Sequence, residues 1–379
     1  MNRRTFLAAG LAGPLSLVAC RPYRPGATGT LPTALVPSTS PMLKRLPKVN
    51  VRRDRMIRVV TGLRPYRPSG FVVRAEKLGE KLLVHNYGHG GGGVTLSWGS
   101  AHLAVEEAVQ SGARRYAVLG CGVLGLSTAI LLQRRGLAVT LYAKDRPPNT
   151  TSNIAGAQWS PFSVFDSHLI SPAFASQFER AARLSYRYFQ DLVGETYGVR
   201  WLPNYEVSSA PIDAMSPEGF LAPILDLYPT LETLAPQDNP FGTAYGLRFM
   251  TMFIEPPVYL NALLRDFLVA GGRIETREFR AREELLGLSE PVIVNCTGLG
   301  SRMLFGDEEL GPIKGQLVFL LPQTEIEYIV ISNRAYMFPR RDGILLGGSF
   351  EHGNWNLEPD PEVTARILEE HRLLYERMA

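Results

Sequence analysis

An α/β fold built around a parallel sheet is predicted by three neighbouring observations. Arg115–Leu119 (RYAVL) is a short apolar run of the kind that forms a buried parallel strand. The glycine-rich run Gly120-Cys121-Gly122-Val123-Leu124-Gly125 follows at once, and Leu126–Arg135 then reads as a helix that Gly136 ends. Leu137–Tyr142 (LAVTLY) supplies a second strand, with Asp145 twenty residues beyond Gly125. Together they form a complete strand–GxGxxG–helix–strand–acid unit of Rossmann type, which binds a dinucleotide.

Each part of that unit has a physical task. Gly120 permits the tight turn, Gly122 lets the backbone approach a pyrophosphate, and Gly125 lets helix and strand pack closely. Val123 and Leu124 open the helix, whose first N–H groups and partial positive charge face the phosphates. Asp145, ahead of its neighbours, is the expected acceptor for the ribose hydroxyls. NAD and FAD both use such a unit, so the remaining chain has to separate them.

The ends carry different signals. Arg3-Arg4 precede a short apolar run, a pattern that resembles a twin-arginine export signal; Leu17-Val18-Ala19-Cys20 resembles a lipobox, with Cys20 as the lipidated residue. Residues 1–20 are therefore expected to be a signal peptide, and the Pro-, Thr-, Ser- and Gly-rich residues 21–50 a flexible tether. An extracytoplasmic (periplasmic), membrane-anchored lipoprotein is implied. Only Cys20, Cys121 and Cys296 are present, and the histidines lack ligand spacing, so neither a disulfide framework nor a metal site is expected. The net charge of +4 lies partly near the start, which argues against a nucleic-acid partner.

Further motifs point to one family. Thr150-Thr151-Ser152-Asn153-Ile154-Ala155-Gly156-Ala157-Gln158-Trp159 follows the acid, and Val292–Gly300 (VIVNCTGLG) is a buried strand ending in a Thr-Gly turn. Met337-Phe338-Pro339, Gly347-Gly348-Ser349-Phe350 and Gly353-Asn354-Trp355 follow later. Gly62–Pro68 (GLRPYRP) and His85–Gly93 (HNYGHGGGG) complete the set. From about residue 56 to 377 the chain resembles the D-amino acid oxidase family of FAD-dependent oxidoreductases. The resemblance implies FAD, with Thr150, Thr151, Ser152, Ala155 and Gly156 wrapping it. In the family the last two motifs close the chain, whereas here they precede the Rossmann strand. The sequence thus resembles a circular permutant, with the old ends joined through Gln110–Arg114; a domain-swapped dimer is the alternative.

The same resemblance assigns roles. Arg64 is expected to grip the substrate carboxylate with its planar fork, joined by the Tyr336 hydroxyl, while Arg67 is assigned to structure. Gly90, Gly91 and Gly93, with Val94 and Thr95, bring backbone and one hydroxyl to the flavin; the Gly91 carbonyl receives the substrate amine. The helix behind them is expected to start near Thr95. His85 and His89 are not needed as bases, since the family transfers a hydride directly to flavin, and no catalytic side chain is assigned. Ser332 stands at the position of a lid aromatic in the animal enzymes. Phe350 stands where aspartate-specific relatives carry an arginine, so a neutral substrate is expected unless Arg334, Arg340 or Arg341 turns inward.

The predicted organisation places one catalytic unit at 51–379. Its FAD-binding parts are 80–165 and 271–305, and a second, mixed-sheet substrate domain comprises 51–79, 166–270 and 306–379. Three readings follow: a D-amino acid oxidase passing electrons to molecular oxygen, a dehydrogenase feeding a membrane quinone, and a non-catalytic lipid-anchored binding protein.

Overall fold

The computed structural model describes residues 46–216, 218–332 and 335–378. Arg3-Arg4, Cys20, most of the expected tether and Arg334 lie outside them. Strands β1 (Met56–Tyr66), β2 (Val72–Leu78) and β3 (Lys81–Tyr87) precede helix α1 (Ser97–Val109). The Rossmann unit follows as β4 (Arg115–Leu119), α2 (Val123–Gln133) and β5 (Ala138–Ala143). Next come α3 (Thr151–Ile154), α4 (Pro172–Asp191), β6 (Val199–Ser208), β7 (Glu232–Thr233), β8 (Tyr245–Ile254) and α5 (Pro256–Val269). Strands β9 (Arg273–Thr276) and β10 (Val292–Asn295) precede α6 (Gly300–Phe305). The chain then runs through β11 (Gly311–Leu320), β12 (Ile329–Ser332), β13 (Ala335–Arg340), β14 (Gly343–Gly347), β15 (Glu351–His352) and α7 (Pro361–Glu376).

Two sheets result. A six-stranded sheet has the order β2-β3-β10-β4-β5-β9, parallel from β3 to β9 with β2 antiparallel at its edge. Both faces of its central strands are buried, which explains their continuous apolar runs. Val118, Leu141 and Val294 pack on α1, α2, α4 and α5, while Ala117, Leu119 and Ile293 face Phe279, Leu285 and Leu304. The second sheet runs β1-β11-β14-β13-β12-β6-β8-β7, with β15 also on β11. On one face Tyr205, Val330, Met337 and Leu346 meet Ile367, Leu374 and Tyr375 of α7; on the other Leu202, Ile329, Phe338 and Leu345 form a separate core. Asp360 caps α7 by accepting from Glu362 N and Val363 N, and Pro361 fits its first turn.

The pairings that join the early strands to the late ones are made within one chain. β3 lies parallel to β10, and β1 runs antiparallel to β11.

Two expected boundaries move. β2, assigned with residues 51–79 to the substrate part, belongs to the six-stranded sheet, because the Gly79-Glu80 turn folds it directly onto β3. The tether ends before residue 50. Val49 is buried, Pro47 O accepts from Tyr328 Oη at 2.7 Å, and Asn50 N donates to Gln323 Oε1 at 2.8 Å. Three spaced apolar residues, Leu46, Val49 and Val51, make the contact, a pattern too short to mark docking in sequence.

Candidate functional site

The glycine fingerprint connects β4 to α2. Gly120 has φ +100°, and a Cβ there would lie 2.5 Å from Cys296 O at the end of β10. A Cβ on Gly125 would lie 1.9 Å from Gly120 O, so only glycine lets the helix sit on its own strand. Gly122 is the N-cap of α2, and Val123 N donates to Ser152 Oγ at 3.1 Å. The first-turn amides of α2, Leu124 included, have no intrahelical acceptor and form the anion-binding end of the helix. Asp145 is exposed two residues past β5, at the carboxyl end of the sheet where a ribose-binding acid belongs. These residues fit a dinucleotide.

Residues 150–163 run from this cradle to the other glycine loop. Thr150 is buried and donates to Asn153 Oδ1 at 2.8 Å, and Thr151 and Ser152 lie in α3. Ile154 reaches the large sheet, where a Cβ on Gly62 would meet it at 3.1 Å. Ala155 O accepts from Arg340 Nη1 at 3.2 Å, and a Cβ on Gly156 would fall 2.4 Å from the Phe338 ring. Gly156 is thus glycine for packing against β13, a reason that local sequence cannot reveal.

The loop after β3 is held by that same segment. Gly90 has φ +53°, and Gly91 N donates to Ser163 O at 2.9 Å. A Cβ on Gly91 or Gly92 would collide with Phe162 O or Val164, whereas Gly93 has room, its nearest neighbour being 3.8 Å away. Val94 is buried. α1 begins at Ser97, two residues past Thr95, whose hydroxyl donates to Gln158 O at 3.1 Å and accepts from Ser160 N at 3.3 Å. His89 is buried, stacked on Phe71 with centroids 4.4 Å apart, and burial pushes its imidazole down to about 3, so it is neutral. His85 Nδ1 lies 3.1 Å from Asn295 Nδ2, and burial also lowers its pKa despite the nearby Glu76.

Arg64 and Tyr336 come together from opposite ends of the sequence. Arg64 Nη2 donates to Tyr336 Oη at 3.1 Å and Nη1 to Ser349 O at 3.4 Å, and the guanidinium lies 4.6 Å from the Phe350 ring centroid. The large sheet makes room with glycine. A Cβ on Gly315 would meet Arg64 Nη1 at 2.5 Å, and one on Gly347 would meet the Tyr336 ring at 2.2 Å. Sequence reasoning missed Gly315 and the role of Gly347; a glycine inside a strand is the signal that could have exposed both. Arg67 behaves differently, donating to Asp307 Oδ2 at 2.8 Å, Glu309 Oε2 at 2.6 Å, Ser69 Oγ and Gly70 O. Arg340 is committed to Asp342 and Arg341 to Glu195, so neither turns into the site. Burial pushes the thiols of Cys121 and Cys296 up to about 11 and 12, and both are free. Among the described residues no cluster of His, Cys, Asp and Glu could hold a metal ion.

A Rossmann cradle facing a mixed sheet that carries an arginine–tyrosine pair defines a flavoprotein class. The family model for FAD dependent oxidoreductases matches residues 28–107 and 115–378; the chain belongs to this family, and its cofactor is FAD. It is similar to the D-amino-acid oxidase of Rubrobacter xylanophilus, 33% identical over 67% of this chain and 75% of that protein. The D-amino-acid oxidase of Streptomyces coelicolor is 33% identical over 66% of this chain and 74% of that protein. In fold it resembles the glycine oxidase of Bacillus cereus, with TM-score 0.54 and 16% identity over 69% of this chain and 77% of that one.

Proposed function

We propose that this protein oxidatively deaminates D-amino acids that lack a second carboxylate. The observation that carries the reading is the Arg64–Tyr336 pair, since Arg64 has no carboxylate of its own chain within ion-pair range among the described residues. A half-buried guanidinium without an acid suits a ligand that brings one. Arg64 and the Tyr336 hydroxyl bind the substrate carboxylate, and the Gly91 carbonyl accepts a hydrogen bond from the amine. The α-carbon is thereby fixed at the loop, with water kept out by Phe162 and Phe350. Bound FAD supplies at N5 the acceptor for a hydride from that carbon. Water then hydrolyses the imino acid, so that amino acid, oxygen and water give 2-oxo acid, ammonia and hydrogen peroxide. Phe350 beside Arg64, and the pairing of Arg340 with Asp342 and of Arg341 with Glu195, support a non-acidic side chain.

An anaerobic titration of the purified yellow protein with a panel of D- and L-amino acids tests this. Bleaching by D-enantiomers alone is expected; bleaching by none of them defeats the reading. The lipobox-like stretch ending at Cys20 favours a second acceptor, a membrane quinone, and aerobic peroxide yield distinguishes the two. Export through Arg3-Arg4 and anchoring at Cys20 belong to the same proposal. Cys20→Ala is expected to release active protein from the membrane fraction, and unchanged fractionation would refute the anchor.

We also read the chain as a circular permutant. The reading is supported by the in-chain pairing of β1 and β3 with β11 and β10, and by the break in the family match between 107 and 115. A gene that moves residues 51–109 behind residue 378 is expected to yield a folded flavoprotein; an insoluble product that binds no FAD counts against it.

A further inference from the structure

Alternation along β6 puts Leu202, Asn204 and Glu206 on the face that carries Tyr336, while Tyr205 and Val207 face α7. Register extends this across the sheet: Tyr336 pairs with Ile331, and Ile331 with Glu206. Glu206 therefore stands two strands from Tyr336, roughly 10 Å away at the backbone, with Ile331 between them in register.

This stretch holds polar groups that nothing among the described residues satisfies. Asn204 is fully buried, and neither its Oδ1 nor its Nδ2 has a hydrogen-bond partner among the described residues; Glu206 Oε2 is buried and equally unpartnered. The nearby Arg248 does not serve Glu206, since it pairs with Glu232 at 2.9 Å and lies in register with Tyr205. Burial without a counter-charge pushes the Glu206 carboxyl up to about 7. The charge of Glu206 also reaches Tyr228, which leads toward the glycine loop. Tyr228, its pKa raised by burial and further by the charge of Glu206, has its hydroxyl 3.1 Å from Ser160 Oγ. Ser160 is in turn bonded to Thr95, just past the glycine loop.

We infer that Asn204 and Glu206 form a subsite for the far end of the substrate side chain, and that the preferred substrates are D-amino acids ending in a cation. The inference rests on the D-amino acid reading above and narrows its non-acidic side chain to a basic one. An ammonium offers three donors and a guanidinium five, which suits Glu206 Oε2 and Asn204 Oδ1. With the carboxylate on Arg64 and Tyr336, four methylenes and a terminal nitrogen extend roughly 7 Å at ordinary bond lengths. Hydrogen bonds at both ends complete the crossing, and Ile331 flanks the methylenes.

The test compares D-lysine with D-norleucine, which has the same carbon chain without the ammonium, on the FAD-loaded enzyme. Wild type is expected to favour D-lysine by at least about tenfold in kcat/KM, and Glu206→Gln to lower that ratio roughly thirtyfold or more. Glu206→Asp, which keeps the charge on a shorter arm, is expected to retain part of the preference. If Glu206→Gln does not fold, the wild-type ratio decides, and D-norleucine used as well as D-lysine overturns the subsite. Flavin bleaching by D-norleucine with no preference for D-lysine would leave the D-amino acid reading standing and sink the subsite alone. Should neither compound nor D-alanine bleach the flavin, the reading itself falls and the subsite with it.

Discussion

Arg64 and Arg67 belong to one short motif, three residues apart, yet their surroundings differ in kind. Arg67 is enclosed by its own chain: Asp307, Glu309, Ser69 and Gly70 take its donors, and its side chain is only 16% exposed. Arg64 is met by a tyrosine hydroxyl, a carbonyl at 3.4 Å and an aromatic ring, with no carboxylate among the described residues. A cation already neutralised holds the fold together. One that is positioned but left without an anion is set for a partner from outside. The difference cannot be read from the two residues, since both are arginines beside prolines; it lies in what the distant strands bring to each.

The comparison can be broken by substitution. Arg64→Ala is expected to keep FAD bound and to lower kcat/KM by roughly thirty- to several-thousand-fold, the effect of losing one partner of a desolvated charge pair. Lysine there should restore only part, having charge without the fork. Near-normal turnover of D-amino acids by Arg64→Ala would mean that the wrong arginine has been chosen. Arg67→Ala is expected to destabilise the protein by about 2–4 kcal/mol, because Asp307 and Glu309 lose their counter-charge, while kcat/KM stays within about threefold. Denaturant melts alongside kinetics would check both halves of that statement.

The stability loss should also depend on pH. Burial alone would raise the Asp307 carboxyl, but bonds from Tyr87 and Arg67 outweigh it and hold the group below its usual range. A carboxyl depressed in the folded state stabilises the protein above its unfolded pKa, about 4, and loses that contribution as pH falls through the folded value. The gap between wild type and Arg67→Ala should therefore narrow below about pH 4. A gap constant down to strongly acid pH would show that Asp307 is not the partner that matters. Tyr336→Phe removes one hydroxyl beside Arg64, and a loss of about tenfold in kcat/KM is expected, read mainly in KM. Smallest of all, Ser69→Ala should cost about 0.5–1.5 kcal/mol of stability and no activity; a turnover defect would tie Arg67 to the substrate.

Much of this was legible in sequence because it is local. The β4–α2–β5 unit lies within a residue or two of its expected bounds at its strands, since turn glycines and apolar runs act over short distances. The Arg64–Tyr336 pair was reached only through a family resemblance, as no spacing rule connects residues 272 positions apart. Other features stayed hidden because their causes are non-local. Gly156 answers to Phe338, Gly315 to Arg64 and Gly347 to Tyr336. Thr95 reaches the distant Gln158 carbonyl, a bond that no local pattern announces. Asn204 and Glu206 drew no notice in a strand that reads as ordinary mixed sequence. Only the sheet register puts them on the face that carries Tyr336.

The pairing of β1 with β11 also governs how this chain is made. Tyr336 leaves the ribosome 272 residues after Arg64, and β11, which β1 needs along its whole length, is synthesised only shortly before that. At ordinary translation speeds β1 and β3 wait on the order of tens of seconds for their partners. Through that interval β1 presents unpaired backbone and half-apolar side chains to the cell, the kind of edge that recruits other chains. The yield of folded enzyme should therefore respond to synthesis rate and temperature more sharply than its final stability would suggest.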